Sequence, residues 1–244
     1  DIELTKKRNI TDGSLYSKEK QADGKISLIE SLNHLDFDVD ANFKDVVDFS
    51  IYTTSEVTLK DTLGDYYADT AKEKYPLLLY DKAESFIRIS DYNKIAKIFY
   101  LKTYSLADDE YIVVANYKEL SGVKDEGLAY KPKIEINGKE YHPKYLNCMD
   151  GFYEMNSSYA NLGFLIVPDD AVFDEMIGSE TLIANYKANN TEEKKAIKDK
   201  VLAMEKNEYI HYITLEARTR IYIADASIGL GGMVTFIGLY LEII

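Results

Sequence analysis

The chain has 244 residues and only one cysteine, Cys148. No intrachain disulfide can form, which excludes a disulfide-stapled ectodomain of the eukaryotic kind. The lone thiol fits a reduced cytosol and equally the outer face of a Gram-positive-type cell. Histidine is nearly absent: His34, His142 and His211 lie far apart, and none has a partner at metal-ligand spacing. Cys148 stands near His142 without forming a zinc pattern, so no metal site is expected. Positive charge is in deficit, with 29 Lys and Arg against 42 Asp and Glu and a net charge of -13. Phosphates would be repelled, so nucleic acid is not expected as a partner. No Walker A loop and no Gly-x-Ser-x-Gly elbow occurs, and Gly229-x-Gly231 lacks the third glycine of a dinucleotide fingerprint. Neither ATP hydrolysis by that route nor a cofactor is expected. The opening residues lack the apolar core of a signal peptide, so an export signal would have to lie outside this sequence.

Against these absences stands tyrosine, with 21 residues beside 9 phenylalanines and no tryptophan. Tyr joins apolar area to a polar tip and suits half-wet sheet faces and binding surfaces. At 46% hydrophobic and 29% charged residues, the composition is that of a globular protein.

Residues 1–24 read as a polar lead-in, extended or frayed. Ile26, Ile29 and Leu32 recur at helical spacing and predict a short helix over 26–35. Val46–Thr54 alternates and predicts a strand, and Leu77–Tyr80 predicts another. Phe86–Ile89 reads as a strand, followed by a helix capped by Ser90-Asp91 and striped by Ile95, Ile98 and Phe99. Glu110–Tyr117 is a further strand. Asn137-Gly138 between Lys133–Ile136 and Lys139–Tyr141 predicts a hairpin, because this dipeptide accepts the positive φ angles of a primed turn. Phe164–Val167 predicts a strand, Pro168-Asp169 a helix carrying Val172, Phe173 and Met176, and Glu180–Tyr186 another strand. Asn190 caps a helix running to Lys206, buried through Ile197, Val201 and Met204.

Two stretches, 85–118 and 163–187, share a strand, an Asp-started helix and a strand. Phe86 and Asp91 match Phe164 and Asp169 in separation, and Ala115-Asn116-Tyr117-Lys118 recurs as Ala184-Asn185-Tyr186-Lys187. Either this is a duplication, which the pattern favours, or Asp caps and tyrosines coincide. The expected fold is α+β, a mixed sheet with helices, in a domain spanning 25–226.

Candidate chemistry is thin. Asp36-x-Asp38-x-Asp40 fails as a calcium loop, because Ala41 stands where glycine is required and Val47 where the closing Glu should be. Asp108-Asp109-Glu110 and Asp169-Asp170 are explained by turns and caps, and no catalytic residue is assigned. Cys148 with His142 leaves a nucleophile pair open. The segment from Tyr141 to Tyr159 is long and irregular and carries Tyr145, Phe152, Tyr153 and Tyr159. These rings either form a ligand-binding surface or pin the segment to the core.

From Ser227 to Leu241 there is no charged residue. The run is shorter than the roughly 20 residues of a full span, so by length alone it could equally be a buried core element. Its glycines, Gly229, Gly231, Gly232 and Gly238, are costly in a soluble helix and frequent in membrane helices. The reading is therefore a truncated transmembrane helix over 227–244. Basic Arg218 and Arg220 precede it, and together with the four glycines they form the expected membrane-coupling set.

The stretch Ala224–Leu241 resembles the entry into a late transmembrane helix of FtsX-like ABC transporter permeases, of the bacitracin-export type found in Firmicutes. Phe86–Ala96 and Asp109–Val113 resemble segments of the large extracellular domain of that family, so the resemblance covers most of the chain from about residue 45. Glu242 departs from it, where the family continues with apolar residues. The resemblance implies a non-catalytic extracellular domain at the cell membrane, held there by the C-terminal helix. It implies a role in resistance to, or sensing of, antimicrobial peptides. The implied partners are a cytoplasmic ATPase subunit, a membrane histidine kinase and a cationic or lipid-bound peptide. A membrane-anchored cell-wall hydrolase and an adhesion module remain as alternatives.

Overall fold

The computed structural model describes residues 2–7, 27–115, 118–151, 163–204 and 214–219. Strand β1 (Ile2–Lys7) is followed by α1 (Leu28–His34), α2 (Val39–Asn42) and the long β2 (Phe43–Thr58). Then come α3 (Leu59–Leu63), a π-helical turn at Tyr67–Ala71 and α4 (Lys72–Lys74). Next are β3 (Ala83–Arg88), α5 (Ile89–Ile98), β4 (Glu110–Ala115) and α6 (Lys118–Leu128). After β5 (Ile134–Ile136), β6 (Lys139–Pro143), β7 (Met149–Asp150) and β8 (Phe164–Val167) the chain closes with β9 (Ile177–Tyr186), α7 (Thr191–Met204) and β10 (Thr214–Thr219). The fold is α+β with a mixed sheet and helices, as the sequence predicts.

Two compact units divide the chain: residues 1–46 with 181–244, and residues 47–180. In the first, β1 pairs antiparallel with β10, and β9 lies on the other side of β1. Ile2 and Leu4 of β1 join Leu28, Leu32, Phe43, Leu182 and Val201 in one buried core. The amide of Glu193 donates to the Asn190 side chain at 2.8 Å, the expected N-cap of α7. Ser27 and Glu30 make a reciprocal capping box on α1. Asp38 of the acidic triplet caps α2, accepting from the Ala41 amide at 2.8 Å, so that carboxylate has a structural task.

In the second unit the strand order is β2-β3-β8-β4-β6-β5, with β7 also beside β4. β3 and β8 are parallel, β8 and β4 antiparallel, and β4 and β6 parallel. β8 is buried along its whole length, as a central strand with both faces covered must be. The Asn137-Gly138 hairpin forms as expected, with φ of 52° and 75° at the two residues.

Three expectations are corrected. Leu77–Tyr80 is not a strand. It folds into successive turns closed by Leu78 N–H to Tyr75 O, Tyr80 N–H to Leu78 O and Lys82 N–H to Leu79 O, so its amides bond locally rather than to a neighbouring strand. The helix expected from Pro168-Asp169 is two 3-10 turns, Asp169–Ala171 and Asp174–Met176, with Val172 extended between them. The carbonyls that would carry that helix are taken by side chains: Ala171 O accepts from Asn137 and Val172 O from Arg88. Nor do Ser90 and Asp91 cap α5 themselves. The Ser90 amide donates to Asp169 of the other stretch at 3.1 Å, while Asp91 bonds Lys94 within the helix.

Candidate functional site

The segment singled out by its tyrosines leaves the sheet at the end of β6, and its Tyr145 ring reaches the core through a line of aromatic contacts. Phe164 of β8 packs on Tyr92 of α5 at 6.0 Å, Tyr92 stacks on Tyr104 at 5.6 Å and 28°, and Tyr145 meets the edge of Tyr104 at 6.2 Å. Such pairs add about 0.5–1.5 kcal/mol each beyond buried area. Phe164 and Tyr92 are fully buried and Tyr145 is half-buried, so the line runs from the core to the surface.

Tyr104 sits in an irregular stretch and owes its position to Asn93. The Asn93 amide group donates to Tyr104 O at 2.8 Å, and its oxygen accepts the Tyr104 amide at 2.9 Å. The Tyr104 hydroxyl donates to Asp150 O at 3.2 Å, fixing β7 to the same ring. Lys102 lies over its face at 5.3 Å. Burial, with Tyr145 and the Asp150 carboxylate nearby, raises the pKa of the Tyr104 phenol, which stays neutral and able to donate.

Glycines flank the stretch 152–162 on both sides. At Gly151 a β-carbon would stand 2.6 Å from the Tyr92 hydroxyl and 2.7 Å from Val114 Cγ1. At Gly163, where φ is +101°, it would stand 2.0 Å from Val114 O. Gly151 and Gly163 are thus pressed onto Val114 of β4 more closely than a residue with a β-carbon permits.

Of the expected ligand-binding residues the structure describes Tyr145, placed as above; Phe152, Tyr153 and Tyr159 lie outside the described residues. Of the expected coupling residues, Arg218 stands in β10 opposite Glu3. Arg220 and the tail with Gly229, Gly231, Gly232 and Gly238 lie outside the described residues. Among the described residues no helix is long and apolar enough to cross a membrane. Tyr92, Asn93 and Tyr104 escaped the sequence reading. The aromatic content hinted at the two tyrosines, whereas a clamping asparagine has no sequence signature.

Cys148 is held by its amide, which donates to Asp125 Oδ1 at 2.5 Å. Burial and the Asp125 carboxylate push its thiol up to about 12, so it stays protonated and a poor nucleophile at neutral pH. His142 turns to Asp109, with Nδ1 at 3.7 Å from a carboxylate oxygen. Glu110 serves a turn, accepting the Ala107 amide at 2.9 Å, and bonds Lys144. Among the described residues no group of three His, Cys, Asp or Glu side chains is placed to hold a metal ion. Set against known proteins, the chain matches no family model, no curated protein and no solved structure.

Proposed function

We propose that this chain is the ligand-engaging and coupling extracellular domain of an FtsX-like ABC transporter permease of the bacitracin-export type, acting in antimicrobial-peptide resistance or sensing. The observation that carries the proposal is the continuity between the segments bearing the resemblance and the candidate surface. Phe86–Ala96 is the end of β3 with most of α5, and Asp109–Val113 lies largely in β4. The aromatic line from Phe164 to Tyr145 passes through Tyr92 within the first of these segments.

A half-buried tyrosine on a rigid aromatic base offers flat apolar area and a ring face to a cation. The net charge of -13 favours a cationic peptide, free or lipid-bound, over an anionic ligand. In this reading ATP is hydrolysed by a separate cytoplasmic subunit, a membrane histidine kinase is a further partner, and the C-terminal helix joins the domain to the membrane. Coupling passes through Tyr209–Ser227, with Arg218 and Arg220, into that helix. A hydrolase using Cys148 is disfavoured by the protonated thiol.

Isothermal titration of the chain with bacitracin-like and lanthionine peptides tests the ligand surface. Saturable binding that Tyr145→Ala weakens about tenfold is expected, since an aromatic anchor of this kind carries on the order of 1–2 kcal/mol. Binding that Tyr145→Ala leaves unchanged contradicts the assigned surface.

A further inference from the structure

Asn137-Gly138 is the one place in the chain where an asparagine precedes a glycine; every other asparagine is followed by a residue with a side chain. Such a side chain shields the backbone nitrogen after the asparagine, whereas glycine leaves it open. The turn gives that nitrogen room as well. Asn137 and Gly138 are both exposed, and apart from the chain neighbours no heavy atom lies within 4 Å of where a β-carbon on Gly138 would stand. The Asn137 side chain is held through one atom, Nδ2, which donates to Ala171 O at 3.2 Å and to Met176 Sδ at 3.4 Å. These two bonds latch the β5–β6 hairpin to the 3-10 turns at Asp169–Ala171 and Asp174–Met176. Both are made by the amino group that an asparagine loses when it deamidates.

We propose that Asn137 is a self-modification site, at which the turn converts to an aspartyl or isoaspartyl linkage and releases the hairpin from the 3-10 turns. The reaction needs no enzyme and only water as co-reactant. The Gly138 nitrogen attacks Asn137 Cγ, and the new N–C bond closes a succinimide ring. Nδ2 leaves as ammonia with the proton shed by the Gly138 amide. Water then opens the ring at one of its two carbonyls. Breaking the new N–C bond gives aspartate at this position, and breaking the original peptide bond gives isoaspartate. Neither product restores the latch, because an ionised carboxylate accepts hydrogen bonds and cannot donate to Ala171 O. The aspartyl product keeps the turn, since Asp-Gly also accepts positive φ angles. The isoaspartyl product does not. Its main chain runs through the side-chain carbons, and the added atom breaks the two-residue turn that pairs Ile136 with Lys139, Glu135 with Glu140 and Ile134 with Tyr141. Ile134, Ile136 and Tyr141 are in the core of this unit, so a register fault at the turn reaches the interior. The fold slows the reaction, because Nδ2 must leave Ala171 O before the ring can close.

The test incubates three samples at mildly alkaline pH: the 244-residue chain, its Asn137→Gly variant and an unstructured peptide spanning Lys133–Tyr141. Glycine at this position accepts the same φ and has no amide to lose. Peptide mapping, with the aspartyl and isoaspartyl forms separated by chromatography, reads the conversion. Hydrogen exchange reads residues 134–141 and 169–176. The wild-type chain is expected to convert at Asn137 several-fold more slowly than the peptide and to yield both products. Its modified fraction is expected to exchange several-fold faster over both stretches than the unmodified fraction. In the Asn137→Gly variant exchange over 169–176 is fast from the start, because the latch is missing, and does not change with time. A wild-type chain that still carries only asparagine at 137 when the peptide is exhausted overturns the inference. So does conversion that leaves exchange over both stretches as it was. Neither result bears on the peptide surface at Tyr145, which is tested separately.

Discussion

Lys124 and Glu84 form an ion pair at 2.7 Å with side chains only 1% and 6% exposed, and Thr62 donates to the same carboxylate at 2.8 Å. Two charges taken out of water in this way are held by each other, and removing one strands its partner. Glu84→Leu is therefore expected to cost about 3–5 kcal/mol, read from urea unfolding midpoints, whereas Glu84→Leu with Lys124→Met recovers most of the loss. A single variant no worse than the double one would contradict the pairing. The second telling residue is Glu126, which accepts from the Tyr66 hydroxyl, from Lys74 at 2.6 Å and from Tyr75 at 3.4 Å. The bonds from Lys74 and Tyr66 lower its carboxyl pKa. A carboxyl lowered on folding stabilises the native state above its unfolded pKa, and that stability is lost as pH falls through the lowered value. Wild type should hence lose more of its melting temperature than Glu126→Gln between about pH 6 and pH 3. Parallel curves would show that the carboxylate does not contribute.

At the scale of elements, the most instructive contact is the cap on α5. Asp169, which follows β8, accepts the Ser90 amide, so one parallel strand of the β3–β8 pair terminates by closing the helix that follows the other. Asp169→Ala is expected to destabilise by about 1 kcal/mol, as loss of an N-cap does, and Asp91→Ala to act instead through loss of the Lys94 bond. Gly163→Ala forces a β-carbon against Val114 O and should cost more than about 2 kcal/mol in thermal or chemical unfolding.

The elements also show which local signals carried through. The Asn137-Gly138 turn and the Asn190 cap are local codes, complete within a few residues, and both formed as the sequence predicts, whereas of the expected α5 stripe only Ile95 is buried, Ile98 is half-buried and Phe99 ends the helix as its C-cap. The 168–176 segment failed because its carbonyls were claimed by Asn137 and Arg88, residues about 35 and 85 positions away along the chain, and no local pattern reports such competition. α6 was missed because two glycines and the buried Lys124 sit where an apolar stripe would normally announce a helix. β1 was missed because only Ile2 and Leu4 mark its buried face in an otherwise polar stretch. At the candidate site, Tyr145 stood out in sequence, while its support from Tyr104 and Asn93 depends on how the chain folds back.

For the whole molecule, the acidic balance and the two compact units describe a domain whose surface features are segregated. The half-buried aromatic surface at Tyr145 and the Asn137-Gly138 turn belong to the same unit, residues 47–180, and each is held by its own contacts. The central claim is that Tyr145 engages a cationic peptide on behalf of a transporter. It is tested most directly in cells producing the proposed permease, by measuring the minimal inhibitory concentration of such peptides with and without Tyr145→Ala. A fall of several-fold, at unchanged abundance of the protein in the membrane, is the predicted result. Unchanged resistance, both for Tyr145→Ala and for deletion of residues 47–180, would contradict it.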